Sequence, residues 1–488
     1  DNRYFDVMVE YAKVDTNDIL VLVTVVNRGD RKAPLFLLPT LWFRNTWSWG
    51  YPAGPREDVE ERPLLRQIDS TGNVKVAEVW HPAEGTYYLY AEHAAELLFT
   101  ENNTNAQRLY GLPNETQYVK DAFHRYVVDG DRTSVNPGQE GTKCAATYYR
   151  ALDPGEEVSI RLRISPKEYS RPFANFNTIF QQRWSETQEF YSTVQRPGLS
   201  EDSWGIQRQA LAGLLWSKQF YYLDLPQWFI GDPVHPVQRK YARNDRWLHY
   251  SSHDIFSMPD KWEYPYPTWE TAFQIVPMAL MDAHYAKQQL RLLTRERSMH
   301  PNGQFPAYEW DFHDVNPPVH AWAALRIYQL EAEKKGQGDR QFLEEIFHKL
   351  MLNYAWWINR TDRSGNDVFS GGFLGLDNIS LFDRTSPLPG GGYLEQADSI
   401  FWMGFYAIEM MKIALELARE NPTYEELAAR FYDHFLHIAE AMTNARGQLQ
   451  YALWDEVDGF FYDALRQPDG SITQLRARSI AGLMPLLA

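Results

Sequence analysis

Cysteine is nearly missing from this chain. Cys144 is the single thiol in 488 residues, so neither an internal disulfide nor a cysteine-held zinc cluster can form. A chain of this size folds without covalent staples, and the near-absence of thiols favours a reducing, cytoplasmic setting. Continuous apolar runs of about 18 residues are also missing, so no stretch has the reach to cross a bilayer as a helix, and no membrane partner is expected. Basic charge is in deficit: Lys and Arg total 48 against 64 Asp and Glu, a formal net charge of −16. With no basic stripe to offset it, that balance repels nucleic acid, which is excluded as a partner, while a neutral ligand bears no penalty.

The signatures of metal and phosphate chemistry are missing as well. There is no H-E-x-x-H, no G-x-S-x-G, no P-loop and no G-x-G-x-x-G, so no cofactor and no metal are expected. His313 beside Asp311 and Asp314 is the one cluster that could be weighed as ligands, and scattered histidines elsewhere argue against it. Sequons occur at Asn102, Asn114, Asn359 and Asn378, but so short a pattern recurs by chance.

What the chain has in abundance is rings: 17 Trp, 29 Tyr and 26 Phe. Most fill cores, but flat faces set beside carboxylates and amides also suit the C–H faces and hydroxyls of sugars. Three loop segments combine the two. The first is SMPDKWEYPYPTWETAF, residues 257–273, which holds Trp269, Glu270 and Phe273 at a helix start. The second, 300–322, holds Trp310, Asp311, Asn316 and Trp322. The third, 369–398, carries glycines at 371, 372 and 375, which let a backbone approach a ligand closely. It presents Asp377, Asn378 and Asp383, then Glu395 and Asp398 at the next helix start. Each segment alone reads equally well as helix caps and core aromatics. All three on helix-connecting loops point instead to one site, and two carboxyl groups in a pocket that excludes water fit glycoside hydrolysis.

The length predicts two domains. Residues 1–165 read as β, with the β-branched run Asp18–Asn27, the segments 87–90, 147–150 and 158–164, and a turn at Asp153-Pro-Gly-Glu156. This predicts an antiparallel sandwich. A polar, partly helical connector follows over 166–200. From 201 to 488 the apolar spacing becomes helical over 207–222, 271–295, 319–334, 341–358, 395–419 and 424–445. Long links between paired helices favour an α/α toroid over a simple bundle.

The long motifs SMPDKWEYP, HPNGQFPAYEWDFHDVNPPVHAWA and GGFLGLDNISLFDR, with YFDVMVEYAK and LLPTLWFRNTWSWG upstream, resemble glycoside hydrolase family 63. This is the processing α-glucosidase group, distantly similar to the trehalases. The resemblance covers nearly the whole chain and implies a β-sandwich followed by an (α/α)6 barrel, with exo-acting, inverting hydrolysis of α-linked glucose from an oligosaccharide or small glycoside. It assigns Asp377 as general acid. The family's Trp-Asp of the glycone subsite falls on Trp269-Glu270, and its P-P-x-x-A-W segment on Pro317 to Trp322. Two departures stand out: Glu270 replaces Asp, and Gln274 stands where His is usual. The general base of the family is a later glutamate before a G-W-T type segment, and none precedes Ala488. The base is therefore expected beyond residue 488, with the barrel incomplete at its C-terminal end and the start of the sandwich missing. The alternative expectation is a catalytically impaired carbohydrate-binding homologue, or an inactive fragment.

Overall fold

The computed structural model describes residues 2–51, 62–219, 221–236, 242–252, 254–258, 266, 268–360, 388–443 and 453–487. The chain divides into two compact units, one formed by Asp1–Thr193 with Asp232–Pro236, the other by Val194–Gly231 with Val237–Ala488.

The first unit is built from antiparallel strands. In chain order these are β1 (Phe5–Asp15), β2 (Asp18–Asn27), β3 (Ala33–Leu37), β4 (Thr40–Trp42), β5 (Leu64–Thr71) and β6 (Val74–His81). Then come β7 (Gly85–Glu92), β8 (Leu97–Thr100), β9 (Glu140–Gly141), β10 (Lys143–Ala146), β11 (Tyr148–Leu152) and β12 (Glu157–Ser165). The large sheet runs β1-β2-β12-β7-β6-β5-β9, while β4-β10-β8 and β11-β3 form smaller ones. The β-branched run of β2 pairs on both sides, with Phe5↔Asn27 toward β1 and Glu157↔Val26 toward β12. That two-sided pairing is why its sequence signal is so strong. Val25, Ala77, Ala91 and Ile160 of the large sheet share one core with Phe99, Cys144 and Tyr148 of the smaller ones, so the layers face each other as in a sandwich. At the 153–156 turn Gly155 adopts φ +74, and its N–H bonds the Asn27 carbonyl at 2.8 Å; a side chain there would be strained.

One ion pair is sealed inside this unit. Arg163 donates from Nε and Nη2 to the two Asp18 oxygens at 2.9 and 2.6 Å, and from Nη1 to the Pro172 carbonyl at 2.7 Å. Tyr169 lays its ring 3.7 Å from the guanidinium and donates its hydroxyl to Asp18 at 2.9 Å. Helix α1 (Phe176–Ser192) belongs to the same unit and buries Phe176 against Ala12 and Leu20. It occupies part of the stretch read from sequence as connector.

The second unit is helical. Its long elements are α2 (Glu201–Trp216), α3 (Thr268–Leu293), α4 (His320–Lys335), α5 (Arg340–Ile358), α6 (Ala397–Ala418) and α7 (Thr423–Thr443). Five of the six lie within a few residues of the helical periodicity in the sequence. The exception is α2, which starts earlier than expected because the Ser200 hydroxyl accepts from Ser203 N–H at 3.1 Å and caps it there. Asp339 caps α5 in the same way through Phe342 N–H. Helix α6 is buried along most of its length and packs against α4, α5 and α7, which makes it the axis of the core. Three helices are also tied by charge: Lys287 of α3 reaches both oxygens of Glu331 on α4, at 3.1 and 2.9 Å, and Asp339 at the α5 cap, at 2.7 Å. Strands β13 (Tyr393–Glu395), β14 (Asp463–Arg466) and β15 (Ile472–Leu475) form a small antiparallel sheet beside the entry of α6.

Candidate functional site

The loop from 299 to 319 brings the starts of α3 and α4 beside the end of α5. Its path is set by polar bonds that few other residues could make. Gln304 donates to the carbonyls of His313 and Asp314 at 3.0 and 3.3 Å, and Asn353 of α5 donates to the Gly303 carbonyl at 2.8 Å. Gly303 sits at φ +95, and a Cβ there would lie 2.2 Å from the Leu352 carbonyl oxygen, so only glycine lets the loop touch α5. The loop meets α3 through Thr268 N–H to Ala307 C=O at 3.4 Å, and Asn316 donates to the same carbonyl at 3.1 Å.

Between these elements lies a small cavity walled by Phe305, Pro317, Pro318, Trp356 and Trp357, with Thr268, Asp314, Asn316, His320 and Asn353 as the polar groups of its lining. His320 is 3 % exposed, and neither ring nitrogen has a hydrogen-bond partner; the Thr268 hydroxyl also lacks one. Burial pushes the imidazole down to about 4, against a weak opposing pull from the Thr268 backbone, so the ring is neutral near pH 7. Buried polar atoms left unpaired are costly to the folded state. At about 20 Å³ the cavity has room for a water molecule and falls far short of a sugar ring.

Of the residues expected from sequence, Trp269, Phe273 and Trp322 come together as a ladder of rings across α3 and α4. Trp269 and Phe273 centroids lie 5.7 Å apart, and Phe273 and Trp322 5.4 Å. Glu270 is half-buried in the first turn of α3, and Asn316 lies in the cavity lining. Trp310 and Asp311 are on an exposed part of the same loop, Trp310 with the Arg243 guanidinium 4.2 Å from its ring and Asp311 accepting from His313 N–H at 2.8 Å. Among the described residues no group of three His, Cys, Asp or Glu is placed to hold a metal ion. Glu395 and Asp398 are buried at the entry of α6, and Glu395 accepts from Arg466 at 3.4 Å. Asp377, Asn378 and Asp383 lie outside the described residues.

Sequence reasoning missed His320, Thr268, the Trp356–Trp357 pair and Glu309. The tryptophan pair was hidden by the regular period of α5, where it reads as core. Glu309 carries a signal only the structure reveals. It is 8 % exposed, one carboxylate oxygen accepts from Tyr266 N–H at 3.3 Å, and the other has no partner. Burial raises it to about 7, opposed by its own and the Tyr266 backbone N–H and by Arg243.

Residues 264–378, which contain the whole of this cavity, match the family model described as the mannosylglycerate hydrolase MGH1-like glycoside hydrolase domain. Over its full length the chain is similar to an uncharacterized protein of Saccharomyces cerevisiae, YMR196W, with 42% identity. It spans about half that relative, 49% of its length. A solved structure of a GH63 mannosylglycerate hydrolase from Thermus thermophilus, in complex with glucose, shares 16% identity and a TM-score of 0.37 over 57% of this chain and 71% of its own. An uncharacterized conserved protein from the same organism shares 18% identity and a TM-score of 0.35 over 50% of this chain and 68% of its own. Likenesses that low transfer no residue. Through the segment 264–378 the chain is similar to the mannosylglycerate hydrolase MGH1-like glycoside hydrolases, and the resemblance to glycoside hydrolase family 63 read from its motifs stands.

Proposed function

We propose that this protein is an exo-acting, inverting glycosidase that removes an α-linked hexose from a small glycoside or oligosaccharide. The observation that carries the reading is the Trp269–Phe273–Trp322 ladder of rings beside Glu270, lying inside the matched glycoside hydrolase segment. In this reading the Trp269–Phe273–Trp322 ladder faces the C–H surfaces of the sugar. Glu270 hydrogen-bonds its hydroxyls. Asp377 gives its proton to the glycosidic oxygen as the bond to the anomeric carbon breaks. A second carboxylate takes a proton from the water that attacks the opposite face of that carbon. An inverting pair of this kind stands roughly 6.5–9.5 Å apart, leaving room for the water. We place the second carboxylate in a later helix of an (α/α)6 barrel. The family matched at 264–378 suggests a hexose linked to a small acid such as glycerate as one substrate to test, beside α-glucosides.

The test is hydrolysis of a panel of α-glucosides, α-mannosides and their glycerate conjugates by the complete protein and its Asp377→Asn variant. The proposal expects release of free hexose from at least one member and a loss of orders of magnitude in the variant. Equal rates in the two proteins would sink the assignment of Asp377. Binding of a panel sugar without turnover would favour the second reading, a carbohydrate-binding homologue, for which Glu270 and Gln274 at positions usually Asp and His speak.

A further inference from the structure

Glu309 is a buried acid with almost nothing to hold its charge. Among the described residues its one hydrogen bond from another segment is the Tyr266 backbone N–H at 3.3 Å, and its second oxygen is buried with no partner there. Tyr266 is itself fully buried, with its ring stacked on Tyr221 at 5.6 Å and edge-on to Tyr250 at 5.8 Å. It stands two residues before Thr268, where α3 begins with Thr268, Trp269 and Glu270. The loop carrying Glu309 is fixed from the other side by Asn244, which donates to the Glu309 carbonyl at 2.9 Å and accepts from Phe312 N–H at 2.8 Å. Such a carboxyl is costly as an anion and cheap as a neutral acid. A structural role alone would be filled better by an amide, which never ionises.

We propose that Glu309 is a positioning residue of the sugar site, whose buried carboxyl accepts from the Tyr266 backbone N–H and thereby sets the first turn of α3 with Trp269 and Glu270. The inference rests on the glycosidase reading for its effect on turnover, but not for its effect on the protein. Among the described residues, the titratable and charged groups that act on the carboxyl from neighbouring segments are Tyr221, Tyr266 and Arg243. Of these, Arg243 is the cation that favours ionisation, and its guanidinium lies over the rings of Trp310 and Trp228. When the carboxyl loses its proton, it becomes an anion among rings and pulls on that guanidinium. The start of α3 and the exposed Trp310 are then disturbed together.

The experiment is a pH titration, from 5 to 9, of tryptophan fluorescence and of sugar turnover in the wild type, Glu309→Gln and Arg243→Met. In the wild type both signals change with a midpoint near 7, the value to which burial brings Glu309. In Glu309→Gln that transition is absent, and the alkaline fall in turnover moves up by more than one pH unit. The fall is in kcat/KM, because the ring ladder and Glu270 are what shift. In Arg243→Met the midpoint rises, since the cation opposing protonation is gone. An unchanged transition in Glu309→Gln, or a midpoint that falls in Arg243→Met, overturns the proposal. If no panel sugar is turned over, the fluorescence arm still decides the role of Glu309, so its failure is distinct from failure of the glycosidase reading.

Discussion

Replacing His320 with leucine, a side chain of similar volume, should stabilise this protein. The ring is 3 % exposed, packs 4.7 Å from Phe305, and leaves both nitrogens without a partner. A buried unpaired polar group costs about 1–3 kcal/mol, so removing it in favour of an apolar side chain is neutral to stabilising by that amount at pH 7.5. Acid sharpens the test. The imidazole is held at about 4, below its ordinary 6.5. A base depressed in the folded state contributes stability above its unfolded value and loses it as pH falls from 6.5 toward 4, here ~3 kcal/mol. The leucine variant lacks that titration, so the gap between the two proteins should widen in its favour over this window. Urea unfolding at several pH values, followed by circular dichroism, measures it. Parallel acid loss in both proteins, or a leucine variant weaker by more than about 1 kcal/mol at pH 7.5, would refute the reasoning.

Arg163→Met leaves Asp18, 2 % exposed, without its cation, and should cost the β-rich unit about 3–5 kcal/mol in denaturant unfolding. The Asp18→Leu/Arg163→Met double variant should recover much of that loss, and a double no better than the single would count against it. The pair also predicts acid sensitivity. Burial pushes Asp18 up, but bonds from Arg163 and Tyr169 outweigh it and hold the carboxyl below its usual 3.8. Its contribution is therefore present above that value and is lost as pH falls through the lower, folded one. Lys287→Met strands Glu331 and Asp339 and should lower helical-unit stability by about 3 kcal/mol, less where Lys335 still reaches Glu331; a loss under 1 kcal/mol in urea would argue against the cluster's role. Gly303→Ala forces a Cβ onto the Leu352 carbonyl at φ +95 and should both destabilise the fold and loosen sugar binding; wild-type melting would contradict that.

The helices were legible because each carries its own apolar period, and the starts of α4 and α5 fall within one residue of the expectation. β2 was legible end to end because pairing and burial on both sides demand a β-branched run. β10 and β11 read as less than they are, since Thr147 breaks them into two strands that join different sheets. The Trp269–Phe273–Trp322 ladder followed from motif residues, each visible as an aromatic at a helix start. The polar core of the site did not. His320 and Glu309 sit in the same motif, but what distinguishes them is their burial with polar atoms left unpaired, and that depends on how segments 242–252 and 299–319 fold against α3. Sequence records a residue's chemistry, and only packing reveals what it is denied.

The central claim is that this protein cleaves an α-glycosidic bond with inversion, using the aromatic face at the starts of α3 and α4 and the carboxyl of Asp377. Proton NMR of the first turnover on the best α-linked substrate tests it most directly. The account predicts the β-anomer of the hexose as the first product, appearing in wild type and suppressed by orders of magnitude in Asp377→Asn. The α-anomer appearing first, or equal product in both proteins, would contradict it.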